Sequence, residues 1–196
     1  MSIWSFFHNL FSSKDVDTKD EEGLIERDGL PLIWKADSVE VKISSQLPFR
    51  YLGTCSEGIR RINAVIGREF LVINTDQLCN NNLPYIAFSD PAMYGYIYIR
   101  MKIADIDGSG DLNTATTEHQ YNKQTGQILS AVISLPDCPK RSNGYGREDK
   151  IMLHELCHAI GLDHDANKNS IMYPKVLMTT QFITDRDQAR LKQIYG

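Results

Sequence analysis

Hydrophobic positions from Leu30 onward recur with two periods, one typical of strands and one typical of helices. Residues 39–43 (VEVKI) alternate between apolar and polar, which predicts a half-buried strand. Residues 56–66 place most of their apolar side chains on one helical face, and Gly67 after them is typical of a helix end. The further predicted elements are strands at 70–74 and 94–104, a hairpin of 114–121 and 127–135 joined by 122–126, and a helix at 147–160.

A last helix is predicted from Thr184 to Tyr195. Thr184 is a good N-cap residue, and Asp187 stands at the third helical position, where it can complete a capping box. The predicted order is therefore strand, helix, three or more strands, helix, loop and helix. This order favours an α+β domain, in which helices pack on a mixed β-sheet.

The first 30 residues differ from the rest of the chain. Residues 12–30 are polar, charged and poor in aromatic side chains, which predicts a flexible linker or tail. Residues 1–11 are an amphipathic segment, which predicts either an anchor to a membrane surface or partner protein, or a segment that packs back on the domain or stays mobile. Its apolar residues at helical spacing are Ile3, Trp4, Phe7, Leu10 and Phe11. We therefore expect a segment and linker at 1–30 and a folded domain at 31–196.

The composition of the 196 residues is that of a globular protein, with 42% hydrophobic and 23% charged residues. The net charge of −4 argues against nucleic-acid binding. No apolar stretch approaches the roughly 18 residues that a membrane-spanning helix needs. Residues 1–11 lack the basic start and the cleavage site of a secretory signal. We therefore expect a cytoplasmic protein, or one delivered by a route that uses no such signal.

The four cysteines are far apart in the sequence and form no C-x-x-C pair. This spacing argues against a cysteine zinc knuckle or a dithiol redox site. A chain of this length does not need disulfides to fold, so we expect free thiols. The cysteines are Cys55, Cys79, Cys138 and Cys157.

Residues 154–164 (HELCHAIGLDH) have the spacing of a metal site. His154 and His158 are four residues apart on a predicted helix, so their imidazoles can face one ion. Gly161 can adopt positive φ and end the helix, which lets the chain bring His164 to the same ion. Three imidazoles and a water form the open tetrahedral site of catalytic zinc. Glu155 is rotated away from the pair but can reach a metal-activated water as a general base.

The distribution of histidines makes coincidence a poor explanation for this pattern. The protein has five histidines, and three of them fall within this one window of eleven residues. A histidine pair on a helix can also arise by chance, with each ring satisfied by hydrogen bonds. The third histidine at metal spacing favours the metal site.

The motif HELCHAIGLDH resembles the long zinc signature of the metzincin metalloproteases. The segment 170–174 (SIMYP) is similar to the methionine turn of that family, and Met172 would then form the floor beneath the three imidazoles. The final segment 183–196 resembles the closing helix of the matrixin branch. The resemblance implies a zincin-like fold: a mixed, twisted β-sheet with an active-site helix, a second packed helix and a C-terminal helix. It also implies one catalytic Zn²⁺ and a monomeric catalytic domain.

Three positions bear on the branch of the family. Cys157 stands where these proteases usually carry Gly, and we expect it to be a small core residue rather than a regulatory thiol. Asp165 follows His164, where matrixins more often have Ser and reprolysins have Asp. Tyr173 directly follows Met172, and no Tyr stands two positions after it, so the tyrosine ligand of astacins and serralysins is not expected.

Matrixins also carry structural zinc and calcium before the edge strand of their sheet. The acidic loop at 105–111 is either a calcium site or a solvated turn. Thr116, not Glu, stands at the twelfth position counted as in an EF-hand, and His119 alone is too little for a second zinc. The candidate calcium ligands are Asp105, Asp107, Ser109 and Asp111.

The activity that the resemblance implies is hydrolysis of peptide bonds in a polypeptide substrate, with Glu155 as general base. An extended substrate would lie antiparallel to an edge strand near 127–135. The segment from Tyr173 to about Thr180, beginning with Tyr173 and Pro174, would line the pocket for the residue after the cleaved bond. Two alternatives stay open: an amide hydrolase that acts on peptidoglycan peptides, and a zinc-binding assembly protein with vestigial activity.

Overall fold

The β-sheet and its helices are seen in a computed structural model that describes residues 23–74, 78, 94–102, 115–136, 147–174 and 182–196. The elements within these ranges are β1 (Glu26–Arg27), β2 (Leu30–Pro31), β3 (Val39–Ile43), α1 (Phe49–Ile66), β4 (Leu71–Ile73), β5 (Tyr96–Met101), β6 (Thr116–Tyr121), β7 (Ile128–Leu135), α2 (Arg147–Ala159) and α3 (Asp185–Tyr195). The predicted linker up to residue 22, the segment 1–11, the calcium candidates of the acidic loop, Cys79 and Cys138 lie outside the described residues.

A five-stranded mixed sheet, in the order β4-β3-β5-β7-β6, forms the centre of the fold. The first four strands of this order are parallel to one another, and β6 pairs antiparallel with β7. The α+β prediction with a mixed sheet is therefore confirmed. The predicted edge strand is wrong, however: β7 has a partner on each side, because the hairpin folds β6 onto its outer flank. Within the described chain, β6 is the sheet edge next to β7.

Alternation in the strands places one set of apolar side chains between the sheet and the helices. Val41 lies beside Ile97, and Ile99 lies beside Ile133, in adjacent strands. The buried stripe of α1 has the i, i+4 spacing of an amphipathic helix. Its buried residues are Tyr51, Cys55, Gly58, Ile59, Ile62 and Ile66.

Helix α1 begins at Phe49, seven residues before its predicted start at 56. The sequence near the start contains Gly53, a weak helix former, which obscures the signal. Tyr51 and Cys55 nevertheless extend the buried stripe by two turns, and their packing overrides the local propensity. At the other end Gly67 caps the helix in the left-handed conformation, as predicted. No helix among the described residues is both long and apolar enough to cross a bilayer.

Residues 23–31 lie on the domain, although residues 12–30 were expected to form a linker. Strands β1 and β2 pair as a short antiparallel ribbon. Leu24 is buried and forms a β-bridge with Leu162, and the Ile25 amide donates to the Gly161 carbonyl at 2.8 Å. The polar composition of the segment does not predict this contact, because the contact depends on backbone hydrogen bonds and on one buried leucine.

Gly161 is the point where the N-terminal segment meets the end of α2. Its φ is +97°, and a Cβ at this position would lie 2.1 Å from the carbonyl oxygen of Leu32. The prediction that Gly161 has positive φ is thus confirmed. Glycine is required here for two reasons: the turn needs positive φ, and the backbone of Leu32 lies where a side chain would be.

We predict that Gly161→Ala lowers the free energy of unfolding by roughly 3 kcal/mol or more, because the methyl group meets a backbone carbonyl at a strained φ. Gly67→Ala is the matched control. Gly67 has a similar φ of +87° with nothing near its missing Cβ, so its replacement should cost only about 1 kcal/mol. Urea unfolding measures both values, and equal losses would show that the Leu32 contact is unimportant.

Candidate active site

Helix α2 and the turn after it bring three imidazoles together. His154 and His158 lie on one face of α2, and their Nε2 atoms are 3.0 Å apart. After Gly161 the chain returns, and the Nε2 atom of His164 lies 3.2 Å from that of His158. The candidate ligand atoms of all three rings lie within 4.8 Å of one another. The structure therefore brings together the three histidines that the sequence singled out.

Backbone carbonyls fix the orientation of two of these rings. The Nδ1 atom of His154 is 2.6 Å from the carbonyl oxygen of Ile171, and Nδ1 of His158 is 2.7 Å from that of Leu162. A carbonyl only accepts, so each Nδ1 carries the proton and donates it. In the neutral rings, both Nε2 atoms are then unprotonated acceptors that face each other. Two lone pairs 3.0 Å apart cannot form a hydrogen bond, and a cation between them removes the repulsion.

These donors fit a transition metal such as zinc. Tetrahedral imidazole ligands at about 2.0–2.1 Å from zinc lie about 3.3 Å from one another, close to the observed Nε2 separations. Burial lowers the pKa of His154 and, further still, that of His158, where the neighbouring histidines add to the effect. Both shifts favour the neutral form of these two imidazoles, which is the form that binds metal.

Distant segments bind the last carbonyls of α2. The indole of Trp34 donates to the Ala159 carbonyl at 2.9 Å, and the Tyr195 hydroxyl donates to the Ile160 carbonyl at 2.7 Å. The ring of His119, in β6, lies 2.9 Å from the His158 carbonyl, and burial lowers its pKa to about 4. Trp34 and Tyr195 satisfy carbonyls that a helix end leaves without partners, and all three contacts fix the turn that carries His164.

The methionine turn at 170–174 packs beneath α2. Its Ile171 supplies the carbonyl that orients His154, while Met172 is fully buried. The Asp165 amide donates to the Met172 carbonyl at 2.9 Å, which joins the turn to the segment after His164. Met172 as a floor beneath the imidazoles stays a prediction, as do the substrate roles of the half-buried Tyr173 and the exposed Pro174.

A buried ionic cluster joins the segment after His164 to α3. Arg190 lies 3.2 Å from the Asp165 carboxylate and 3.6 Å from that of Asp187. Asp187 accepts hydrogen bonds from Ser170, in the methionine turn, and from Thr184. Thr184 and Asp187 form the predicted capping box, so one carboxylate both starts α3 and supports the turn.

Glu155 follows His154 but faces β6. Its carboxylate is buried, and Oε2 accepts a hydrogen bond of 2.6 Å from the hydroxyl of Thr117. Burial raises the pKa of Glu155, and the Thr117 hydroxyl opposes this shift. The sequence predicts that Glu155 is rotated away from the histidine pair. It does not identify Thr117, because nothing in a strand sequence shows which helix residue a hydroxyl will meet.

Other contacts of the site were also missed. Arg190, Trp34 and Tyr195 act over more than 20 residues in sequence, so no local pattern reveals them. The one local sign of the buried ionic cluster is Asp165, an acidic residue directly after His164, because a buried carboxylate needs a cation nearby. Cys55 and Cys157 are buried free thiols, and burial raises the pKa of both.

The sequence model of the matrixin family matches residues 109–196. Over these residues, which are less than half of the chain, the protein is similar to matrixins. The match contains α2, all three histidines, the methionine turn and α3, and it supports a metallopeptidase-type function. No protein with a curated description matches the chain significantly. The matrixin-like segment also includes β6 and β7, which precede the site and lie against it.

We predict that Arg190→Met lowers the free energy of unfolding by about 2–4 kcal/mol, because it leaves the buried carboxylate of Asp165 without its main cation. Arg186→Met is the matched control. Arg186 contacts the same carboxylate at 3.4 Å, but its side chain is 63% exposed, so its loss should cost less than about 0.5 kcal/mol. Urea titration at pH 7 compares the two variants, and similar losses would contradict the importance of the buried pair.

Proposed function

We propose that the protein is a zinc-dependent endopeptidase, in which His154, His158 and His164 hold the metal and Glu155 is the general base. The observation that supports this proposal most is the convergence of three Nε2 atoms, of which those of His154 and His158 are left unprotonated because their Nδ1 atoms donate to backbone carbonyls. The matrixin match supports a peptidase. The Glu155 carboxylate, one residue from the first ligand, supplies the acid–base group that hydrolysis needs.

A zinc ion held by the three imidazoles supplies Lewis-acid chemistry, since it polarises a carbonyl group and acidifies a water molecule. The protein's own part is to leave one side of the histidine cluster open. His164 is exposed, whereas His154 is buried beneath it, so the cluster faces solvent on the His164 side. An open position is the mark of a catalytic rather than a structural metal site.

Glu155 moves the proton in this proposal. Its carboxylate takes a proton from the attacking water and passes it to the amine that leaves when the peptide bond breaks. Within the described part of the chain, Oε2 accepts a hydrogen bond from Thr117, and Oε1 accepts none. We therefore assign the role of proton acceptor to Oε1. Burial supports this role, because it raises the pKa of Glu155 and so makes the carboxylate a stronger base.

The sheet edge beside α2 supports a polypeptide as the substrate. Strand β6 pairs with β7 on one side, and among the described residues no strand pairs with its other side. An extended peptide can add to such an edge through main-chain hydrogen bonds. We therefore propose that the substrate lies along β6, with Tyr173 and Pro174 lining the pocket for the residue after the cleaved bond.

We predict that Glu155→Gln keeps about one zinc per chain but lowers kcat for a cleaved peptide by roughly 10²–10⁴-fold, because the amide cannot accept the water's proton. Glu57→Gln is the matched control: it makes the same change on the exposed face of α1 and should leave kcat unchanged. Peptide-library cleavage with metal analysis tests the pair. Equal cleavage by the wild type and Glu155→Gln would refute the role of Glu155.

The choice of substrates in that assay separates the alternatives. Cleavage of peptidoglycan peptides without cleavage of polypeptides would establish the amide hydrolase. Zinc binding without any hydrolysis by the wild type would establish a binding protein with vestigial activity.

Metal removal gives an independent prediction. A chelator should abolish cleavage and lower the thermal midpoint, because zinc binds the folded site and not the unfolded chain; free zinc at 1,000 times its Kd stabilises by about 4 kcal/mol. Added zinc should restore both properties. His158→Ala should show no such zinc-dependent rise in midpoint, and calorimetry with and without zinc measures it. An unchanged midpoint of the wild type on chelation would contradict the assignment of the three ligands.

A further inference from the structure

The hydroxyl of Thr117 donates a hydrogen bond to the carboxylate of Glu155. Its Oγ1 atom lies 2.6 Å from Oε2 of the carboxylate and 3.3 Å from the backbone oxygen of the same residue. The shorter contact has the length of a charge-assisted bond between a hydroxyl and a carboxylate. Thr117 therefore fixes the rotation of the carboxylate as well as its position.

The register of β6 against α2 places this hydroxyl. Thr117 and His119 are two residues apart on one strand, so their side chains point to the same face. His119 contacts the His158 carbonyl at 2.9 Å, while Thr117 contacts Glu155, three residues earlier on the helix. On the other side, Thr117 lies opposite Ile133 in the β6–β7 ladder. Contacts on both sides thus prevent the strand from sliding along the helix.

The geometry leaves the two carboxylate oxygens with different tasks. Oε2 is occupied by a hydroxyl, which has one proton to donate. Among the described residues Oε1 accepts no hydrogen bond, which leaves it available to an attacking water. A carboxylate without the hydroxyl would rotate between conformations, and only some of them would hold Oε1 in reach of the water.

We propose that Thr117 is a positioning residue for the general base, which holds Glu155 so that Oε1 accepts the proton of the attacking water. This inference rests on the proposed function, since it assigns a role within the same reaction. The side chain of Thr117 acts through Glu155, while a substrate paired with β6 would contact the main chain of that strand.

The test compares Thr117→Val with Thr117→Ser. Valine keeps the shape and the strand preference of threonine but lacks the hydroxyl, whereas serine restores it. In the zinc-loaded full chain, Thr117→Val should lower kcat about 10- to 100-fold, with KM changed by less than about twofold. Thr117→Ser should recover kcat to within about threefold of the wild type. A loss through general destabilisation would not be rescued selectively by the smaller hydroxyl residue.

Thr54→Val is the matched control. Thr54 is a half-buried threonine of α1 whose hydroxyl donates to the Tyr51 carbonyl at 3.1 Å, away from the site. Its variant should keep wild-type kcat and KM. Zinc content and the thermal midpoint of each variant, measured alongside, should show one metal per chain and a folded protein.

The outcomes separate this inference from the proposed function. A wild type that cuts peptides while Glu155→Gln does not, together with a Thr117→Val variant of wild-type kcat, would overturn the inference alone. The inference would also fail if Thr117→Ser were as slow as Thr117→Val, or if the loss lay in KM. A wild type that binds zinc and cuts no peptide would overturn the proposed function, and the inference with it.

Discussion

Two backbone carbonyls determine what the histidine cluster can do. The carbonyls of Ile171 and Leu162 hold the Nδ1 protons of His154 and His158, so that the Nε2 lone pairs face each other. This arrangement is repulsive unless a cation lies between the rings. Two turns of the chain supply these carbonyls. The methionine turn supplies the first, and the turn after Gly161 supplies the second.

The rest of the fold holds the end of α2 from several directions. Contacts from Trp34, His119 and Tyr195 satisfy its final carbonyls, and the ribbon at 23–31 pairs with the segment beyond it. The C-terminal end of a helix also carries partial negative charge, which favours a cation beside His158. The same contacts therefore place the ligands at a helix end whose charge favours a metal ion.

Local patterns predicted the parts of this structure that depend on local physics. Thr184 and Asp187 predict a capping box, and Gly161 predicts a left-handed turn. The spacing of His154 and His158 predicts that both side chains lie on one face of the helix. The parts that failed depend on partners far away in sequence. Strand β6 lies at the sheet edge because β5 pairs with the other side of β7. The sequence of 127–135 does not show that β7 pairs with β5.

Contacts between side chains and distant backbone were equally hidden. Leu24 and Ile25 lie in a polar stretch whose composition predicts a linker, yet one buried side chain and a few backbone hydrogen bonds place it on the domain. The pairing of Arg190 with Asp165 and of Thr117 with Glu155 likewise requires the tertiary fold. The motif thus predicts the candidate metal ligands and the general base, but it does not predict the distant residues that orient them.

X-ray absorption spectroscopy of the zinc-loaded protein tests the central claim most directly. We predict a four-coordinate zinc with three imidazole nitrogens at about 2.0 Å and one oxygen ligand from solvent. Four protein ligands, or a sulfur atom in the first coordination shell, would contradict an open three-histidine site.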